Sequence, residues 1–138
     1  MPKARDIMTP GAICARSSDT VREAAATMAD QQVGALPICG EDGRLKGMLT
    51  DRDIVVKAIA KGRNPSECTA SEFAEGKPVT VGADDDAREI LRTMGQHQVR
   101  RLPVIDGHDL VGMVALADVA RALPDQPVGD VIDAITKP

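Results

Sequence analysis

Thr50-Asp51-Arg52-Asp53 sets a hydroxyl and a carboxylate three positions apart, directly after the apolar run 45–49. Such a pair suits a helix start. The Thr50 hydroxyl accepts from the Asp53 N–H, and the Asp53 carboxylate reaches back to the Thr50 N–H, which makes a capping box. A second stretch, Ala115-Leu116-Ala117-Asp118, keeps the carboxylate and lacks the hydroxyl. Arg100 and Arg101 put two cations before the apolar run 102–105, either solvated or paired with the acidic run 84–86. Cys14, Cys39 and Cys68 have no CxxC spacing, and His97 and His108 have no ligand-spaced partner. No metal site is therefore expected. No nucleophile–base constellation stands out, so an enzyme is not expected either.

The elements that must carry these residues come in two matching sets. Residues 4–8 read as one helical turn and 12–15 as a short strand. A helix follows over 17–32, capped by Ser18 or Asp19, with Val21, Ala24, Ala25 and Met28 on one stripe. Runs 36–39 and 45–49 flank Asp42-Gly43, a hairpin signal. Thr50 opens a helix that Gly62 stops. Residues 63–69, with Pro65, read as a linker. The order then recurs: a turn over 70–74, a strand at 79–81, and a helix with Ala87, Ile90, Leu91 and Met94 on its stripe. Strands at 102–105 and 110–114 follow around Asp106-Gly107, then a last helix from Asp118. At an offset of 66, Arg22, Glu23, Thr27, Met28, Gln32, Val33, Leu36 and Pro37 find identical residues. Gly47, Met48 and Asp53 recur at Gly112, Met113 and Asp118 after a one-residue shift in the turn. The chain is a tandem duplication with an approximate internal two-fold. Pro37 and Pro103 are expected to open their strands, with Ile38 and Val104 in the core. A short helix is expected over 127–135.

Composition narrows the partners. The chain has 138 residues, and each copy alone is small enough for a marginal core, so the copies are expected to share one. Apolar residues make up 43%, charged residues 28%, and the net charge is −4. Holding nucleic acid through its phosphates is thus not the expected main role. Phe73 is the only aromatic residue, so no stacking platform is available. No run is long and apolar enough for a membrane span. The opening MPKARDIMTP lacks a secretory h-region, which points to the cytoplasm and leaves leaderless export open.

LPxx, a hairpin, Gly-hydrophobic-hydrophobic-Thr-x-x-Asp and a helix, all present twice, resemble a pair of cystathionine β-synthase (CBS) domains. The runs GALPICGEDGRLKGMLTDRD and HQVRRLPVI further resemble the stand-alone hypoxic response proteins of actinobacteria. The resemblance implies an α+β fold of two β-α-β-β-α repeats packed with pseudo-two-fold symmetry. The implied boundaries are 4–62 and 70–123, with linker 63–69 and tail 124–138. It also implies a regulatory module that binds an adenosine-containing ligand (AMP, ADP, ATP or S-adenosylmethionine) in clefts between the repeats.

By that resemblance Asp53 and Asp118 would meet ribose hydroxyls, and Thr50 would lie near phosphates. A helix N-terminus suits anions, and a carboxylate accepts from two vicinal hydroxyls. Arg100 and Arg101 would contact phosphates, with Arg52 and Lys57 adding to the patch. Ala115 puts the phosphate end of the second cleft in question. A homodimer through the first and last helices of each repeat, and output through an unknown partner protein, are implied as well. Strands neighbouring in the family carry Cys14 and Cys39, so these two either bridge or remain thiols, while Cys68 is free. The alternative is a structural or interaction protein whose clefts no longer bind.

Overall fold

The computed structural model describes residues 1–11, 13–74 and 76–123, together with Gly129, Ile132 and Ile135. In chain order the elements are α1 (Ala4–Ile7), β1 (Thr9–Pro10), β2 (Ala15–Arg16), α2 (Val21–Gln31), β3 (Ala35–Cys39) and β4 (Leu45–Thr50). Helix α3 (Asp51–Asp53) continues as a π-helix over Ile54–Ile59, and a 3-10 turn spans Ala70–Phe73. The second set is β5 (Val81–Gly82), α4 (Ala87–His97), β6 (Arg101–Asp106), β7 (Asp109–Ala115) and α5 (Leu116–Ala122). The tail helix expected over 127–135 lies outside the described residues, apart from the three named.

The chain divides into two compact units, Ile13–Pro78, and Met1–Ala12 with Val79–Pro138. The first holds a sheet ordered β2-β3-β4 and the second a sheet ordered β1-β7-β6-β5. In each, a short parallel strand and an antiparallel hairpin line up alike: Ala15 opposite Ile38, and Val81 opposite Val104. Each hairpin slips register at the same place, Ile38/Cys39 and Val104/Ile105. The hairpin turns place Gly43 and Gly107 at positive φ, as Asp-Gly turns require.

The predicted helix stripes face the cores. Val21, Ala24 and Met28 are buried with Leu36, Ile38, Leu49 and Phe73 in one unit. Ala87, Ile90, Leu91 and Met94 are buried with Leu102, Val104 and Val114 in the other. Three local expectations shift. The short strands start at Ala15 and Val81, later than 12 and 79. The cap of α2 is Thr20, whose Oγ1 accepts from the Glu23 N–H at 3.1 Å, while Asp19 turns back to the Arg16 N–H. Pro37 and Pro103 sit third in their strands and are fully buried. This is tolerated because β2 and β5 reach only the two residues that follow each proline, so no ladder is asked of the proline on that side. Each first helix ends on a left-handed glutamine, Gln32 (φ 56°) and Gln98 (φ 54°). An identical residue kept in both copies thus closes both helices.

The openers of the two repeats are exchanged between units. Ala4 N–H donates to the Asp85 carbonyl at 2.8 Å, and Ala70 N–H to the Asp19 carbonyl at 2.8 Å. Arg5 N–H reaches Ala83 at 3.0 Å, and Ser71 N–H reaches Ser17 at 3.0 Å. Residues 63–69, read as a linker, are built into their unit: Val21 N–H donates to the Cys68 carbonyl at 2.9 Å, and Cys68 is buried. Gly47 and Gly112 make room for these openers. A Cβ at Gly47 would stand 3.0 Å from Ala74, and one at Gly112 only 2.6 Å from Met8 Sδ and the Thr9 carbonyl.

Candidate functional site

In the unit Ile13–Pro78 the site residues gather where β4 runs into α3. Thr50 Oγ1 accepts from the Asp53 N–H at 3.0 Å, and Thr50 N–H donates to Asp53 Oδ2 at 3.0 Å. Both halves of the capping box close. The other carboxylate oxygen, Oδ1, lies 3.3 Å from Lys57 Nζ, one helical turn on. The Asp53 side chain is 22% exposed, so solvent still reaches it. Asp51 N–H donates to the Gly34 carbonyl at 2.9 Å, which ties the helix start to the strand entry.

The helix then widens. Ala60 N–H donates to the Val55 carbonyl at 2.8 Å, an i→i+5 bond. Three consecutive β-branched residues, Ile54, Val55 and Val56, begin this π-segment, and such side chains crowd a regular α-helix. Gly62 follows at φ 73°, where the helix was expected to stop.

In the other unit the same place is built with different chemistry. Ala115 N–H donates to Asp118 Oδ2 at 2.8 Å, so the carboxylate half of the box survives. Ala115 has no oxygen for the reverse bond. Arg121 donates to Asp118 Oδ1 at 2.5 Å, and Asp118 is 15% exposed. Arg101 opens β6 opposite Ala115, and Leu116 N–H donates to the Arg100 carbonyl at 2.8 Å. The basic pair is thereby held at the entrance of the helix that carries Asp118. Both arginines are exposed, and neither forms an ion pair among the described residues. A bridge from them to the acidic run is not formed. Asp84 pairs with Arg5, Asp85 accepts from the Gly82 N–H, and Asp86 caps α4.

Lys57 and Arg121 are the cations on the two carboxylates, a pairing legible in the sequence. Their spacing, i+4 and i+3 from each aspartate, was the signal. Lys57, expected to add to a phosphate-contacting patch, pairs with Asp53.

Cys14 precedes β2, and Cys39 ends β3, where Arg16 stands opposite it. Their sulfurs lie against each other, with Cα atoms 5.7 Å apart. Cys68 is a free buried thiol donating to the Asn64 carbonyl at 3.1 Å. Beside Cys14 and Cys39 lies a cavity of about 460 Å³, lined also by Arg16, Ser17, Ser18 and Glu41. Among the described residues, no group of three or more His, Cys, Asp and Glu side chains gathers as a metal site would require.

The CBS domain pattern matches this chain over residues 4–59 and again over 70–125. Hypoxic response protein 1 of Mycobacterium tuberculosis is 48% identical over 138 residues, covering all of this chain and 96% of that protein. A crystal structure of Hypoxic Response Protein I with two coordinated zinc ions superposes with a TM-score of 0.82 at 50% identity, covering 89% of this chain and 100% of that one. The CBS domain pair of protein MJ0100, in complex with 5-methylthioadenosine and S-adenosyl-L-methionine, gives 0.78 at 28% identity, covering 88% and 95%.

Proposed function

The chain belongs to the CBS domain family, and from that premise we propose that it senses an adenosine-containing ligand and acts in trans on a partner protein, in a stress or hypoxia response. The observation that carries this reading is the retention of Asp53 and Asp118 at matching helix starts, each partly buried. Each has one oxygen fixed by a backbone N–H and the other held only by a cation on a flexible stem. Ribose hydroxyls donate to such an oxygen as readily as Lys57 or Arg121 does. The adenosine-derived ligands of the MJ0100 pair and the full-length match to Hypoxic response protein 1 support it. Nothing points to catalysis. Zinc belongs to the relative's structure, and we assign no zinc site here.

The two halves are unequal. Thr50 supplies a hydroxyl at the Asp53 site, whereas Arg100 and Arg101 supply charge at the Asp118 site. A second reading, in which the clefts no longer bind, is favoured by the same carboxylates being already paired and by Ala115. Calorimetric titration with AMP, ADP, ATP and S-adenosylmethionine separates the two. Saturation at roughly micromolar ligand, lost in Asp53→Ala or Asp118→Ala, supports sensing. Silence at millimolar ligand supports the second reading. Binding that survives both substitutions sinks the site assignment.

A homodimer fits the exterior of the unit Ile13–Pro78. Val55 and Ile59 are 58% and 52% exposed, beside a groove of about 340 Å³ lined by Ala25, Met28, Ala29 and Val33. Apolar side chains grouped on one face mark an association surface. Val55→Asp is expected to shift sedimentation from dimer to monomer, and an unchanged dimer places the interface elsewhere. We further propose that Cys14 and Cys39 are bridged, which counting free thiols by alkylation and intact mass decides.

A further inference from the structure

Resting on that bridge, we propose that the cavity beside Cys14 and Cys39 is a docking site for a zwitterionic amino-acid-type thiol that exchanges with the bridge at Cys14. Three observations carry it. Both cysteines line one cavity of about 460 Å³, within the range of small-ligand pockets. Cys39 is buried while Cys14 is half-buried, so an incoming sulfur reaches Cys14 first. The same cavity is lined by one cation, Arg16, and one anion, Glu41. Neither side chain makes a hydrogen bond or ion pair among the described residues. The Arg16 and Ser17 main chain, by contrast, is committed, Arg16 N–H to Asp19 and Ser17 N–H to the Cys39 carbonyl. An unpaired cation and an unpaired anion at one cavity match a carboxylate and an ammonium on one small molecule.

The second unit sharpens the point. Its equivalents of the two cysteines are Thr80 and Ile105, yet its short parallel pairing, Val81 with Val104 and Gly82 with Ile105, is the same. The bridge is therefore dispensable to this architecture. The exchange balances. The small thiolate attacks Cys14 Sγ, a new S–S bond forms to Cys14, and the old one to Cys39 breaks. Cys39 leaves with the electron pair and takes a proton. A second small thiolate then displaces Cys14 and leaves as the small disulfide, so two small thiols are oxidised and the protein bridge is reduced.

The test follows exchange by acid-quenched intact mass and peptide mapping. Bridged protein is treated with cysteine or, in parallel, with uncharged 2-mercaptoethanol. The ratio of the two rates in each variant cancels the intrinsic reactivity of the thiols. The mixed disulfide is expected on Cys14, and Arg16→Ala or Glu41→Ala is expected to lower the cysteine rate about tenfold while leaving the mercaptoethanol rate unchanged. Protein that starts with three free thiols overturns the bridge itself. Bridged protein whose two rates respond alike, or whose adduct maps to Cys39, overturns the docking site while leaving the bridge standing.

Discussion

The helix after β4 starts on Thr50 and closes both halves of its capping box; the helix after β7 starts on Ala115 and closes one. Around these two starts the scaffold repeats, save for β1 at the edge of one sheet and the π-segment in the other unit. The openers dock through equivalent backbone bonds, the hairpins slip at equivalent residues, and each sheet keeps a glycine under its opener. What differs is chemistry that the scaffold does not need. One unit has the hydroxyl, the two neighbouring cysteines and an apolar π-helix face. The other has two exposed arginines at the helix entrance. Two copies under the same packing constraint have diverged at the positions free of that constraint, which is where the proposed ligand or partner would act.

The largest effect is expected where the scaffolds match but the clearances do not. Gly112→Ala drives a Cβ to 2.6 Å from the Thr9 carbonyl, a backbone atom that cannot swing aside. The β1–β7 pairing at Pro10 must open, at a cost of about 2–3 kcal/mol, in the range of overpacking. Gly47→Ala meets Ala74 at 3.0 Å and costs less, about 1 kcal/mol. Urea unfolding of both variants measures this. Equal losses would mean that the two openers press on their sheets alike.

Next comes the missing hydroxyl, which is reciprocal. Thr50→Ala removes the oxygen that accepts from the Asp53 N–H and should lose about 1 kcal/mol. Ala115→Thr adds an oxygen facing the Asp118 N–H and should gain somewhat less, about 0.5 kcal/mol. Thermal unfolding that moves up for Ala115→Thr and down for Thr50→Ala supports the equivalence of the two starts. A loss in both would show that the α5 start has repacked around alanine.

The duplication, the helix stripes and the hairpins were legible in the sequence because periodicity and Asp-Gly turns are local signals. So was the Thr50–Asp53 box, since its partners are three residues apart. The exchange of openers was not legible. Ala4–Ile7 and Ala70–Phe73 match at the same offset as the helices and strands that follow them up to the hairpin turn, and nothing local says which sheet each will cover. Gly47 and Gly112 carried the clue, being identical where no turn requires glycine. Thr20 displaced the expected caps because Asp19 is used one turn earlier, on Arg16. The π-widening after Asp53 left only a run of β-branched residues as a trace.

The smallest effect concerns the ion pairs on the two openers, which are arranged oppositely. At α1 the opener carries the cations: Arg5 Nε donates to Asp84 Oδ1 at 2.9 Å, and Lys3 Nζ lies 3.8 Å from it. At the 3-10 turn the opener carries the acid, Glu72, which pairs with Arg63. The Arg5 hydrogen bond first, then the Arg5 and Lys3 charges, hold the Asp84 carboxyl below its usual range. The Arg63 hydrogen bond and the Thr69 N–H do the same for Glu72. With the folded pKa depressed, the unfolded chain takes up the proton first as the pH falls. The stabilisation is complete above the ordinary carboxylate values, near pH 4, and disappears as the pH falls through the depressed ones. Asp84→Asn and Glu72→Gln should each flatten the acid limb of stability against pH in dilute buffer, and less so near 1 M salt, where the charge attraction is screened while the hydrogen bonds remain. An acid limb that stays the same in dilute buffer would mean that backbone bonds alone hold the openers. A flattening of undiminished size at high salt would mean that the hydrogen bonds, not the charges, set the shift.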